Sequence, residues 1–323
     1  MAQTTGNPAA WTLRWRFWCV CLALVCSLPA GCLRDANCAR VRMATISSPT
    51  PTAQSSPPRS EPPPVIEPST TIAGALVDEE AMAVLGARVV AATHRIPAAE
   101  SRNLVAVMQD GYRRMKETDG HVPTPVPAWV IGAPADTVVI QPEEPTQDLA
   151  VVFLHGWGGS WALPCWQVAQ AARQVHAMTV CPATRFEGDW WSSAGEDAAR
   201  QAIRALRASG VQRVVLVGLS NGGIGASLIA PKLRGEIQGL VLISGASPQA
   251  RSSGVPTLVM HGARDSMTSP AVARQYASRA GGRYVSVDGT HFALLEKHEE
   301  MTAALAGFLG SIAASRPGKS SKP

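Results

Sequence analysis

Charge is scarce in this chain: Asp, Glu, Lys and Arg make up only 16% of its 323 residues, against roughly a quarter in an average soluble domain. That scarcity excludes a highly charged disordered tail protein, and the absence of Lys/Arg clusters argues against a nucleic-acid binder. The 29 positive and 24 negative side chains are spread along the chain, so the net charge of +5 marks no basic face. Tyr and Phe are few, three and five, beside nine Trp. No Cys-x-x-Cys occurs, which removes a zinc ribbon and a thioredoxin-like redox site. No metal-ligand cluster, phosphate-cradling loop or nucleotide fingerprint occurs either, so no cofactor is expected.

What is present is apolar. At 46% hydrophobic residues the chain can bury a full core without disulfide staples, as one large domain or two small ones. Arg14 and Arg16 precede an apolar run from Phe17 to Leu28, and Ala30-Gly31-Cys32 follows. This is the layout of an export signal, and the run is too short for a permanent membrane span. The small pair before Cys32 resembles the lipobox of bacterial lipoproteins, although Pro29 stands where an aliphatic residue is usual. The resemblance implies lipidation at Cys32 and a membrane anchor at the outer membrane; plain secretion, a periplasmic chain or an uncleaved anchor are the alternatives. Without residues 1–31 the balance becomes 27 positive against 24 negative, an ordinary +3.

Residues 32–73 read as a tether. Ser47 to Ser69 holds eight Pro and six Ser and almost no large apolar side chain, too little to offset the entropy of ordering. A helical segment follows over 74–122. Asp78 is a candidate cap for a run with Met82, Leu85 and Val89 on one stripe. A second run opens at Pro97, carries Leu104, Met108, Tyr112 and Met115, and stops at Gly120. Residues 123–315 change character, and 316–323 read as a disordered tail. Short β-branched runs alternate with helix-length stretches: Thr137 to Ile140, Ala150 to Leu154, Ala177 to Cys181, Arg213 to Val217, Leu240 to Ile243, Thr257 to Met260 and Tyr284 to Val287. Continuous apolar runs mark strands buried on both faces. Right-handed crossovers then give an α/β fold, a doubly wound and mostly parallel sheet with helices on both faces. Pro125 to Pro134, with Trp129, is a candidate edge hairpin. Cys165 and Cys181 either pair in an oxidising compartment or remain two buried thiols.

The strongest chemical signal is Gly218-Leu219-Ser220-Asn221-Gly222-Gly223, directly after the run ending at Val217. A serine on a sharp strand-to-helix turn is exposed as a nucleophile, and glycines two residues either side relieve the crowding. The helix beyond points its N-terminus at the site, where it favours an oxyanion. A serine hydroxyl needs a base. His291, in Asp288-Gly289-Thr290-His291-Phe292, is the leading candidate and His261 the other. Asp265 is the leading acid to orient the imidazole, with Asp288 as competitor. His155-Gly156-Trp157-Gly158-Gly159 follows the run ending at Leu154. It resembles the HG-x-G loop, in which the backbone N–H groups of Trp157 and Asn221 would receive an oxyanion and His155 would hold the loop.

Over roughly Thr137 to Ala313, with these motifs in this order, the chain resembles the serine hydrolases of the α/β-hydrolase superfamily. The segment Gly245 to Pro256, where many members insert a helical lid, is only about a dozen residues long. The likeness is therefore to lidless carboxylesterases and acyl-protein thioesterases. It implies an acyl-enzyme on Ser220 and a small-molecule ester or thioester as substrate. A peptidase or acyltransferase on the same three residues is the alternative, and a non-catalytic surface binding lipoprotein a more distant one. Of the tryptophans, Trp157, Trp190 and Trp191 are candidates for the substrate pocket and Trp166 for the core.

Overall fold

The computed structural model describes residues 79–93, 96–120, 137–146 and 148–315. The export signal with Cys32, the tether, the Asp78 cap, the edge hairpin with Trp129 and the tail lie outside the described residues. Among the described residues no helix is long and apolar enough to cross a membrane.

All seven expected runs are strands: β1 (Val138–Ile140), β2 (Leu149–Leu154), β3 (Met178–Cys181), β4 (Arg213–Leu219), β5 (Gly239–Ile243), β6 (Thr257–Gly262) and β7 (Arg283–Val287). They form one sheet in the order β1-β3-β2-β4-β5-β6-β7. Only β1 runs antiparallel, against β3. Every residue of β2, β5 and β6 is buried, because helices cover both faces, and that is why these segments read as unbroken apolar runs.

The pleat sorts the core into two layers. Leu149, Val151 and Phe153 of β2 face one side with Val215, Val217, Val241, Ile243, Leu258 and Met260. They pack on α3 (Ala162–Arg173) and α8 (His298–Ala314). Ala150, Val152 and Leu154 face the other side, with Leu216, Leu240 and Leu242. That layer packs on α4 (Ser193–Ala208), α5 (Asn221–Ile229) and α6 (Pro270–Ala280). The short α7 (Ala293–Glu296) joins the first layer through Ala293 and Leu294.

Strand order decides where a ligand can sit. The chain leaves β2 for α3 on one face, and leaves β4 for α5 on the opposite face, although β2 and β4 are neighbours. Their C-terminal ends therefore diverge around a crevice, the switch point at which doubly wound sheets bind ligands. The segment between β5 and β6 contains no helix.

Two helices precede the sheet, α1 (Glu79–Ala92) and α2 (Ala98–Asp119). Helix α2 has the expected limits, with Pro97 before it and Gly120 after it. Its expected stripe is inward, Leu104, Tyr112 and Met115 being buried. The stripe expected for α1 is corrected: Ala83, Val84 and Ala87 are buried, while Leu85 is 49% exposed. Met82 and Val89 are half-buried, so of the expected stripe only Leu85 is turned outward.

Cys165 of α3 and Cys181 of β3 form a disulfide. It closes a loop with a sequence separation of 16, which in the chain-entropy model is worth about 3 kcal/mol. Replacing both cysteines by alanine should lower the unfolding free energy by about that amount in denaturant titrations. An unchanged midpoint would show that the bridge does not form.

Candidate active site

Ser220 is the single residue between β4 and α5, and its backbone is at φ 54° and ψ −118°. A non-glycine residue in this region costs about 1–3 kcal/mol. Its neighbours hold it there: Ser220 N–H donates to the Ile243 carbonyl at 2.8 Å, and its own carbonyl accepts from Ile224 N–H at 2.9 Å. The turn is so tight that a Cβ on Gly218 would run into the Gly222 carbonyl, and one on Gly222 into the Leu154 carbonyl. This is why glycine flanks the serine at both positions. Asn221 is the first residue of α5, and its N–H is among the four that a helix leaves without an internal partner. Its side-chain amide donates to the Glu187 carbonyl at 2.8 Å.

His291 follows β7 and is 6% exposed. Its Nε2 lies 3.0 Å from Ser220 Oγ, and its Nδ1 lies 2.9 Å from Asp265 Oδ2. Ser220, His291 and Asp265 thus form one hydrogen-bonded line. Within it Nδ1–H donates to the carboxylate, which leaves Nε2 to accept from the serine hydroxyl. Asp288 takes no part: it is an exposed residue paired with Arg264. His261 does not meet the serine. It is fully buried, with Nε2 3.1 Å from Asp265 Oδ2.

Asp265 is densely served. Oδ1 accepts from the backbone N–H groups of Met267 and Thr268, both at 2.8 Å, and Oδ2 accepts from Thr268 Oγ1 at 2.8 Å as well as from the two imidazoles. Burial alone would raise its pKa. The hydrogen bonds from His261, His291 and Thr268 outweigh it and hold the carboxyl well below its usual range. Asp265 is therefore an anion at neutral pH.

The loop after β2 lies against the serine. A Cβ on Gly156 would stand 3.1 Å from Ser220 Cβ and 3.7 Å from Ser220 Oγ. Trp157, next along, packs edge-on against Phe186 with ring centroids 4.6 Å apart. A second loop, between β3 and α4, fixes the first. Gly158 N–H donates to the Phe186 carbonyl at 2.8 Å, and Trp190 Nε1–H to the His155 carbonyl at 2.9 Å. His155 is 2% exposed and joins both loops. Its Nε2 accepts from Thr184 N–H at 3.1 Å, while its Nδ1 stands 2.7 Å from the Gly156 carbonyl and donates to it. Desolvation pushes its pKa down to about 4, so it is neutral at neutral pH.

The expectation for Trp190 is corrected. It is wholly buried and packs on the middle of α5, where a Cβ on Gly225 would meet its Cβ. Its bulk supports the elbow from beneath and presents no surface to a substrate. Trp191 is 45% exposed. Trp166 is in the core as expected, with Nε1–H donating to Asp119. Sequence reading missed His261 and Thr268 as partners of Asp265; the polar spacing His261-x-x-x-Asp265-x-x-Thr268 was the available signal.

No family model and no curated protein matches this chain. Solved structures do. Est1E from Butyrivibrio proteoclasticus, solved with ferulic acid bound, is 14% identical with a TM-score of 0.47, over 56% of this chain and 96% of that one. XC6422 from Xanthomonas campestris, described as an a/b serine hydrolase without lid, is 19% identical with a TM-score of 0.47, over 61% and 96%. The enol-lactonase from Burkholderia xenovorans LB400 is 15% identical with a TM-score of 0.44, over 55% and 96%. Strand order and the elbow carry the fold. It is that of the α/β hydrolases.

His155 generates a stability prediction. Its folded pKa of about 4 lies below the ordinary value of 6.5, so between the two the unfolded chain binds more protons. Stability is therefore full above about pH 6.5 and falls as pH drops towards 4, by up to roughly 3 kcal/mol. In denaturant titrations His155→Gln should lose most of this slope between pH 6.5 and 4.5. An identical slope in the variant would show that His155 is charged in the folded state.

Proposed function

We propose that the protein is a serine hydrolase that cleaves carboxylic esters or thioesters through an acyl-enzyme on Ser220. The observation that carries this reading is the continuous line from Ser220 Oγ to His291 Nε2 at 3.0 Å and from His291 Nδ1 to Asp265 Oδ2 at 2.9 Å. It is centred on a serine held at φ 54°.

In this reading His291 Nε2 takes the Ser220 proton as Oγ attacks the acyl carbon. The carbonyl oxygen becomes an oxyanion beside the backbone N–H groups of Asn221 and Trp157, each typically worth a hundredfold or more in rate. Asp265 keeps Nδ1–H directed at itself and stabilises the imidazolium. Collapse of the tetrahedral species breaks the bond to the leaving group, which departs with the proton from Nε2. Water then enters, gives one proton to His291 and its oxygen to the acyl carbon. A second collapse frees the carboxylic acid and returns the proton to Ser220 Oγ. The sum is acyl ester plus water to acid plus alcohol or thiol.

The short segment between β5 and β6 and the Trp157–Phe186 pair beside the loop after β2 support an open site that takes an apolar acyl or aromatic group. The sequence of residues 1–32 supports export and lipidation at Cys32 as part of the same proposal, with the tether spanning from anchor to enzyme. Such an enzyme would act in the cell envelope.

Ser220→Ala should lower kcat for short p-nitrophenyl esters by at least about 10⁴-fold, as loss of the nucleophile does elsewhere, while the fold is retained by circular dichroism. Hydrolysis by the folded variant at the wild-type rate would overturn the assignment.

A further inference from the structure

Helices α1 and α2 take no part in the crossovers of the sheet, yet they contact the start of α3, directly after the loop of residues 155–161, and the loops that carry Asp265 and His291. The first contact is a buried carboxylate. Helix α3 begins directly after the loop of residues 155–161, and its N-cap, Trp161, supplies no side-chain acceptor to the helix. Glu79 supplies it from 83 residues earlier in the chain. Its Oε2 accepts Ala162 N–H at 3.1 Å and its Oε1 accepts Leu163 N–H at 3.3 Å. Tyr112 of α2 donates its hydroxyl to Glu79 Oε1 at 2.7 Å, and Glu79 is 7% exposed. A carboxylate at a helix N-terminus satisfies orphan N–H groups and complements the helix dipole. The far end of α3 is held as well, since Asp119 of α2 accepts from Arg173 at 2.8 Å.

The second contact reaches the histidine and aspartate loops. Phe292 packs into the small cluster of Ala87, Ile96 and Leu104 between the two helices, and its ring stands edge-on to His291 with centroids 5.6 Å apart. Ser266, next to Asp265, donates its hydroxyl to Glu100 of α2 at 3.2 Å. A pair of helices that served only to cover an apolar face would need neither the buried acid nor the hydroxyl contact.

We propose that α1 and α2 clamp the active site, with Glu79 a positioning residue that acts through the start of α3 on the oxyanion loop. The inference rests on the reading of Ser220 as nucleophile and of residues 155–161 as the oxyanion loop. Without Glu79 the first turn of α3 loses two hydrogen bonds and its counter-charge, and the loop carrying Gly156 and Trp157 loses its anchor at the α3 end, keeping only those to the loop between β3 and α4. A misplacement of about 1 Å can cost a hundredfold in rate. The effect belongs to the transition state, in which the oxyanion forms, so it falls on kcat and leaves KM nearly unchanged.

The test compares full-length wild type, Glu79→Ala, Glu79→Gln and, as a charge control on exposed α2, Glu117→Gln. Hydrolysis of a p-nitrophenyl ester is followed well below each melting temperature and normalised to the sites titrated by a fluorophosphonate. Glu79→Ala should lower kcat at least about tenfold with KM within about twofold. Glu79→Gln, which keeps one oxygen acceptor, should recover part of the loss, and Glu117→Gln should match wild type. A folded Glu79→Ala with wild-type kcat overturns the clamp and leaves the function intact. Should Glu79→Ala not fold, Glu79→Gln carries the same comparison, and wild-type kcat in it overturns the clamp. A wild-type chain that neither hydrolyses nor labels overturns the underlying reading, and the clamp falls with it.

Discussion

The backbone of Ser220, at φ 54°, is the constraint around which the rest of the molecule is arranged. A side-chain-bearing residue relaxes out of that conformation unless its surroundings forbid it. Here they do. The Leu154 carbonyl occupies the space next to Gly222, the Ile243 carbonyl takes the Ser220 N–H, and Trp190 fills the space against Gly225. The first two carbonyls belong to β2 and β5, strands buried along their whole length, and Trp190 to the loop between β3 and α4. Burial of each Val or Leu in such a strand is worth about 1.5–3 kcal/mol, so a few of them offset the local strain. The switch in strand order then puts the loop after β2 beside the elbow and sends the two following helices to opposite faces.

Around this fixed point the polar groups divide into two kinds. Asp265 is buried but meets five donors, so the site keeps a permanent anion where an imidazolium would form. His155, which follows β2, three positions from β6 in the sheet order, is buried with two backbone partners, and desolvation keeps it neutral at neutral pH. His155 fastens loops, and His291 lies between a hydroxyl and a carboxylate.

Much of this was legible in the sequence. Strands covered on both faces must be continuously apolar, so the seven runs stood out. The strand-serine-helix motif needs glycine at fixed positions, and the order serine, aspartate, histidine left few candidates. What was hidden depends on contacts that no local pattern encodes. Whether Trp190 faces a ligand or the core is decided by the approach of Gly225, 35 positions along. Glu79 reads as an ordinary acidic residue in the first turn of a helix, yet it caps a different helix. On α1 the periodicity marks Met82, Leu85 and Val89, yet the buried face is the neighbouring one of Ala83, Val84 and Ala87, because helical spacing alone does not fix which face meets a partner.

Ser220 is the centre of this account, and a covalent adduct tests it most directly. The full-length protein treated with a fluorophosphonate and digested should carry one phosphonyl group, on the peptide containing Ser220, as read by mass spectrometry. Labelling should be lost when His291 is replaced by Ala. An unmodified Ser220 peptide, or an adduct on another residue, in a chain that still hydrolyses esters would contradict it.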